Sequence, residues 1–455
     1  MQQSLITELA YVSNSTAYFE QIKHESWPIF LDSCQPFSRV GRYDILSAAP
    51  YTYLTTYGQN TQIFSANDTI ESDRDPFLLL KDELAKHTAN TSHLPFNGGA
   101  LGFFAYDLNK RLEILPNRAI CDIHLPDMAV GIYLWAVIVD HLDKKTYLLM
   151  PPKDKAPANW AEIYERLLRH YEQIPRHCER SARNDGITSN LSLEQYCEKF
   201  AKIQQHIHQG DAYQINFAQR WQLPFDGNSW DLYCQLREQN PAPFAAYIPL
   251  QEGAILSCSP ERFITVREKV VTTMPIKGTA KRQTDPLADQ VAAQTLQTSE
   301  KNRAENIMIV DLMRNDLGKD CVTCSVQVPK LCELQSFPNV HHLVSTVCGE
   351  LRADKQPIDV LRDCFPGGSI TGAPKIRAME IIDDCEPHRR HIYCGSIGYI
   401  GFNGEMDTNI AIRTAVLANQ QLYFWGGGGI VKDSVAVQEY QETIDKVQPF
   451  FDILL

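Results

Sequence analysis

Apolar positions along the chain follow two periods, and the order in which these alternate points to a fold class. In 44–58, DILSAAPYTYLTTYG, and 129–150, AVGIYLWAVIVDHLDKKTYLLM, β-branched and aromatic residues gather in short runs separated by turn formers, the pattern of strands. DPFLLLKDELAKH (75–87) and WAEIYERLLRHYEQI (160–174) instead carry apolar residues three and four apart, as helices with one buried face do. Farther on, Ser192 and Gln195 have capping-box spacing. Leu193, Tyr196, Phe200, Ile203 and Ile207 then form one helical stripe that ends at Gly210. Tyr213, Ile215 and Phe217 alternate with Gln214 and Asn216, predicting a strand with one polar face. GAILSCS, ITVREKVVTTM, IYCGSIGYIGF and LYFWG read as further strands, and long helices are predicted over 299–316 and about 434–447. Strand runs that follow one another directly, without strict alternation with helices, predict an antiparallel α+β architecture.

The polar stretch IPRHCERSARNDGITSN, 174–190, breaks this pattern and has the make-up of a connector. It divides the chain into an N-terminal region, 1–173, and a second region, 191–455. No period of 20 to 50 residues marks a repeat architecture.

Composition narrows the function classes. Across 455 residues, 43 Lys and Arg stand against 55 Asp and Glu, a net charge of −12 with no basic stripe, which argues against nucleic-acid binding. No run approaches the roughly 18 apolar residues of a membrane span, and the first 15 residues lack the charge and apolar core of a secretory signal. A cytoplasmic protein is expected. The 13 scattered cysteines read as reduced thiols; Cys321 and Cys324, even with Cys332 and His341 or His342 added, match no common zinc spacing.

Three glycine clusters invite a phosphate-loop reading. In PGGSITGAPK, Gly367 and Gly372 have Walker spacing, but Ala373 and Pro374 displace Lys375 from its place. WGGGGIVKDS lacks the Gly-Lys-Ser/Thr ending. Both read as tight turns needing positive φ, or as nests of backbone N–H groups for an anion such as a carboxylate. FNGGALGFFAYDL reads as structural.

Ionisable groups near turns concentrate in the second region. Glu439, Glu442 and Lys446 share one helical face; by themselves Glu442 and Lys446 are an exposed pair worth about a few tenths of a kcal/mol. Glu261 beside Arg262 reads equally as a surface pair, and Lys375 as a surface charge. Taken together, however, SPERF (259–263), PIKGTAKR (275–282), AENIMIVDLMRNDLG (304–318), HHLVS (341–345), GGSITGAPKIRAMEII (367–382), NIAIRTA (409–415) and the 426–446 segment resemble the chorismate-utilising enzymes. That group holds anthranilate synthase component I, aminodeoxychorismate synthase component I, and the isochorismate and salicylate synthases. The resemblance is strong over about 190–450, and FLDS, GRYDIL and GGALGFFAYD extend it to the N-terminal region of the aminating members.

The resemblance implies one large α+β sandwich of antiparallel sheets with flanking helices. It implies that Glu305 and Glu442 hold Mg²⁺ against the ring carboxylate of chorismate, with Glu439 beside them. Hard oxygen ligands and retained waters suit that ion. Where aminating relatives often have a further acid before the first ligand, this chain has Asn302. Arg413, Lys446 and the N–H groups around Gly427, Gly428 and Gly429 match positions that hold the enolpyruvyl carboxylate, a role for which Arg is geometrically suited. Thr279, His342, Ser369, Thr371 and Gly372 match substrate-pocket positions, and Lys375 is a further candidate. Glu261 matches the general acid for the departing C4 oxygen, a task that calls for a raised pKa.

Two positions bear on the nucleophile. Gln214 stands where water-using relatives place an activating lysine, and a neutral amide cannot be that base. Lys277 stands where aminodeoxychorismate synthases carry a nucleophilic lysine. Its pKa is expected to be pushed down by Lys281, Arg282 and the divalent ion. The resemblance therefore implies amination of chorismate at C4. The rival activities are anthranilate synthesis with release of pyruvate, or a silent scaffold. No glutaminase signature is visible, so ammonia is expected from a separate glutamine amidotransferase subunit. Leu31, Ser33, Arg42, Tyr43, Asn240 and Pro241 lie where anthranilate synthases bind tryptophan. Leu-Asp-Ser here replaces Leu-Glu-Ser, so bound tryptophan is a further expectation with weakened feedback control.

Overall fold

The computed structural model describes residues 6–34, 41–66, 68–88, 92–169, 186–337 and 340–454. Nearly all the predicted strands form, and they are gathered into two sheets of 12 strands each. The pairings between named strands are antiparallel throughout. Both regions of the chain feed each sheet. Ile29–Asp32 pairs with Phe244–Leu250 in the first, and Gly99–Phe104 pairs with Ser396–Gly401 in the second. The expected connector lies outside the described residues up to 185.

The sheets face each other across the main core, in which Phe103, Ile132, Ile138, Ile255, Ile264 and Ile397 are buried. A second apolar layer lies outside the first sheet, where Phe19, Trp230, Tyr233, Phe424 and Phe450 pack. A third joins Tyr196, Phe200 and Ile203 of the Leu193–His208 helix to Ile215, Phe217 and Ile381. That helix carries the full capping box at Ser192 and Gln195, and Gly210 follows it with φ +81°. Gly can take this conformation without a Cβ clash.

Three local expectations change. The strand after this helix is Gln214–Pro224, and both of its faces are buried. Tyr213 precedes it and is 71% exposed, whereas Gln214 and Gln219 are fully buried. Its polar side chains therefore point into the protein. The last helix runs from Ala436 to Leu454, through Pro449, because Phe450 and Leu454 on its apolar face are buried. The Gly426–Gly429 run is neither a turn nor a site of positive φ. It lies inside the extended strand Gln421–Ile430, paired with Gln214–Pro224. Of the other cluster, Gly372 does adopt φ +147°, and a methyl group there would lie 2.1 Å from the Gln214 carbonyl oxygen.

The glycine run sets how closely the C-terminal helix lies on its strand. A methyl group at Gly426 would sit 2.2 Å from the carbonyl oxygen of Thr443 on that helix. Overpacking of this kind costs about 1–3 kcal/mol. Gly426→Ala is expected to lower stability by about that amount in urea denaturation; an unchanged midpoint would show that the helix approaches less tightly.

Candidate active site

The two sheets bring their polar residues together where Gln214–Pro224 and Gln421–Ile430 of one meet Ile276–Lys281 of the other. The Glu300–Gly318 and Ala436–Leu454 helices and the loop at Gly368–Thr371 complete this end of the sandwich. Ser369 links the two groups of greatest chemical interest. Its carbonyl accepts a hydrogen bond from Lys277 Nζ (2.9 Å), and its hydroxyl donates to Glu261 Oε1 (2.7 Å). Sequence reasoning found Ser369 only as a pocket position; its double contact depends on the fold of the loop.

Burial pushes the Lys277 amine below the ordinary lysine value, and Lys446 adds to this, against the opposing pull of Glu305, Glu261 and Glu442. The cause differs from the one expected. Lys281 is exposed, and Arg282 is engaged by Asp289 at 2.8 Å. Glu261 is 5% exposed, and burial raises its carboxyl, opposed by the Ser369 hydrogen bond and by Lys277. It forms no surface pair with Arg262, which holds Asp407 at 2.9 Å.

Three carboxylates from two helices lie together, and two of them, Glu305 and Glu442, act on the Lys277 amine. Burial raises Glu305, with Glu439 and Glu442 adding to the effect against Lys277 and Lys301. Burial also raises Glu439, whose Oε2 is buried without a hydrogen-bond partner and whose Oε1 lies 3.7 Å from Lys301. Burial acts against the Glu442 carboxylate too, but Lys446 at 2.6 Å holds it below its ordinary value. Among the described residues no three acidic, histidine or cysteine side chains form a ready-made metal cage. The donor set nevertheless fits Mg²⁺, which commonly takes one or two carboxylates, keeps waters and shares a ligand's anion. The orphaned Glu439 oxygen and the mutual repulsion of the acids are what such a cation would relieve.

The glycine strand forms one wall. Thr414–Ala418 pairs with it only as far as Phe424, so beyond that residue its outer edge has no strand partner among the described residues. The Gly427 carbonyl accepts from Lys446 Nζ at 2.8 Å. A methyl group at Gly428 would lie 3.2 Å from Glu439 Oε2 and 3.3 Å from Glu442 Oε1, and one at Gly429 would lie 2.6 Å from Gln214 Nε2. Any side chain here would fill the space the acids and the glutamine face. Gln214 is fully buried, and neither its amide oxygen nor its nitrogen has a partner.

Arg413 sits at φ +52°, a conformation rare for a residue with a side chain, and no ion pair or side-chain hydrogen bond engages it among the described residues. Burial lowers its pKa, opposed by Tyr393 and Glu442. A half-buried guanidinium with no anion among the described residues is an unmet demand for one. His342 accepts or donates a 2.9 Å hydrogen bond with Thr279 Oγ1, and burial and then Arg413 push its imidazole down to about 4. Thr371 is turned inward to its own loop, donating to the Gly367 carbonyl at 3.0 Å, while its carbonyl accepts from the Asn216 N–H at 2.8 Å. Lys375 is not in the pocket: it pairs with Asp316 at 2.5 Å and donates to the Cys364 carbonyl. Tyr393 was missed. Its hydroxyl lies 3.0 Å from the position of a methyl group at Gly427, and in the sequence it is one aromatic residue within a strand-like run.

A separate cavity of about 210 Å³ lies between the sheets, lined in part by Leu31, Arg42 and Tyr43. Ser33, Asn240 and Pro241 do not line it; the Ser33 hydroxyl donates to Asp44 at 2.6 Å. The cations around it are already matched: Arg42 by Asp140 at 2.6 Å, Arg262 by Asp407 and Arg267 by Glu405 at 2.8 Å.

The neutral His342 makes a direct prediction. The unfolded chain takes up a proton near pH 6.5 that the folded protein refuses until about 4. Its contribution to stability is thus full above 6.5 and is lost as pH falls through that window. His342→Gln should flatten this part of the pH–stability curve in thermal melts. Equal slopes for both proteins would contradict the lowered value.

Comparison with known proteins gives the family of the chain. A family model described as chorismate binding enzyme matches residues 28–452. Aminodeoxychorismate synthase component 1 from Escherichia coli (strain K12) is 46% identical over 98% of this chain and 97% of its own length. Anthranilate synthase component 1 from Acetivibrio thermocellus is 34% identical over 94% of this chain and 90% of its own. Among solved structures, anthranilate synthase component I from Streptococcus pneumoniae TIGR4 superposes with a TM-score of 0.79 at 32% identity, covering 91% of this chain and 93% of that one. The menaquinone-specific isochorismate synthase from Escherichia coli shares the fold, with a TM-score of 0.75 at 17% identity over 100% of this chain and 94% of that one. The chain belongs to the family of chorismate-binding enzymes.

Proposed function

We propose that the protein aminates chorismate at C4, giving 4-amino-4-deoxychorismate for 4-aminobenzoate and folate synthesis. The observation that carries this reading is a half-buried lysine amine, its pKa lowered chiefly by desolvation, tied through Ser369 to a buried glutamate whose pKa burial raises. Relatives at 46% and 47% identity named aminodeoxychorismate synthase component 1 support the same reaction.

In this reading Arg413 and Lys446, with free N–H groups of the glycine strand, hold the enolpyruvyl carboxylate. Gln214, Thr279, His342, Thr371 and Gly372 shape the space around the ring. Glu305 and Glu442, with Glu439 beside them, would hold Mg²⁺, which supplies positive charge opposite the ring carboxylate when bound. Lys277, in its neutral form, forms a bond to C2 while both ring double bonds shift by one position and the C4–O bond breaks. Glu261 gives its proton to the departing oxygen, which leaves as water. Ammonia then bonds to C4, the double bonds shift back, and the C2–N bond to Lys277 breaks. Lys277 leaves C2 as the neutral amine, and the one surplus proton on the new C4 ammonium returns to Glu261. The net change is chorismate plus ammonia to aminodeoxychorismate plus water. The neutral amide of Gln214 supports ammonia over activated water as the second nucleophile.

The "component 1" names of the relatives support a partner component; a glutaminase subunit delivering ammonia fits a chain with no such centre in its sequence. The cavity at Leu31, Arg42 and Tyr43 is a candidate for tryptophan, whose own charges cancel as those of the lining do. Calorimetric titration without heat would remove it.

Incubation with chorismate and Mg²⁺ but no ammonia should add chorismate minus water to the intact mass, at Lys277 by peptide mapping. The adduct should vanish in Lys277→Ala, and Glu261→Gln should lower kcat by about 10²–10⁴-fold. An adduct persisting in Lys277→Ala would overturn the assignment. Anthranilate fluorescence from chorismate and ammonia alone would move the protein to the rival activity.

A further inference from the structure

Arg390 is 1% exposed and Glu386 6%, and neither is among the residues assigned to the pocket. Both follow the Lys375–Cys385 helix. Arg390 Nε and Nη2 reach the two carboxylate oxygens of Glu386, at 2.9 and 2.6 Å. It also reaches two backbone carbonyls, Nη1 to that of Ile370 (2.9 Å) and Nη2 to that of Asn216 (2.8 Å), with the Asn216 Oδ1 at 3.5 Å from Nη2. Glu386 Oε1 also accepts from the N–H of Ala218 at 2.8 Å. The guanidinium lies over the Tyr106 ring at 4.8 Å, with Tyr393 on another side at 5.9 Å.

We propose that the Glu386–Arg390 pair is a positioning device, pinning the strand that carries Gln214 to the loop that carries Ser369 and thereby setting the spacing of Lys277 and Glu261. Ile370 directly follows Ser369, the residue that touches both groups. Asn216 is two residues from Gln214, and its N–H already binds the Thr371 carbonyl. One buried side chain therefore fixes both segments. A buried ion pair contributes little net stability compared with apolar residues of the same shape, so its value must be sought in what it holds in place. Only the planar fork of Arg can meet a carboxylate and two carbonyls at once; a lysine ammonium is a point charge with a different reach. Displacement of a reacting group by about 1 Å can cost about 10²-fold in rate.

The inference rests on the amination reading for its kinetic arm only. Arg390→Lys keeps the charge against Glu386 and should melt near the wild-type temperature. With chorismate, ammonium and Mg²⁺ its kcat should fall by about 10²-fold at nearly constant KM. Without chorismate, labelling of Lys277 by an amine-directed acylating reagent, followed by peptide mass spectrometry, should change in rate several-fold. A purely structural pair predicts that a well-folded lysine variant keeps both rates, and that result would overturn the proposal. Should Arg390→Lys fail to fold, the double variant Glu386→Gln, Arg390→Met removes both charges together. The same two losses are expected of it, and wild-type values again overturn the idea. A wild-type protein that gives no amino product fails the functional reading, while the labelling arm still decides the positioning role.

Discussion

An amine cannot be both buried and charged without cost, and the site is organised around that conflict at Lys277. Three carboxylates draw a proton onto it, while burial and Lys446 drive the proton off, and burial is the largest of these influences. The converse holds for Glu261, where burial raises the carboxyl above its ordinary value against the pull of the Ser369 hydrogen bond and Lys277. A lowered amine and a raised acid are both shifted toward the states needed to form one bond while breaking another. The same exclusion of water thus prepares both partners.

The fold supplies that exclusion with backbone as much as with side chains. Close approach of the Ala436–Leu454 helix to a strand of four glycines brings Glu439, Glu442 and Lys446 over the pocket and leaves the wall without side chains. The opposite sheet contributes Lys277 and His342 on neighbouring strands. In a protein of net charge −12, recognition of an anion requires local cations. Arg413, held in a left-handed conformation with no anion of its own, is such a group.

Much of this was legible in the sequence, because helix stripes, caps and strand runs are local properties. The Ser192 capping box and the helix around Glu305 form as the pattern predicts. What escaped depends on contacts between distant segments. Four consecutive glycines look like a turn, but they pair with Gln214–Pro224 as a strand, and Thr443 of the C-terminal helix packs closely on Gly426. Alternation around Gln214 suggested a wetted polar face, whereas the facing elements bury it. Lys375 is taken up by Asp316, 59 positions earlier, a pairing no spacing rule reveals. Lys281 and Arg282 are neighbours of Lys277 in sequence, but Lys281 is exposed and Arg282 pairs with Asp289, and burial is the leading cause of the depressed Lys277 pKa. Arg390 escaped for the same reason: its importance lies in two carbonyls from segments far along the chain.

The ionisation of one side chain tests the central claim most directly. The Lys277 Nζ resonance, assigned by its absence from Lys277→Arg and followed by heteronuclear NMR across a pH series, should titrate below the ordinary lysine value of 10.5. Titration at or above that value would mean that the carboxylates outweigh burial, and a neutral nucleophile at this position would be contradicted.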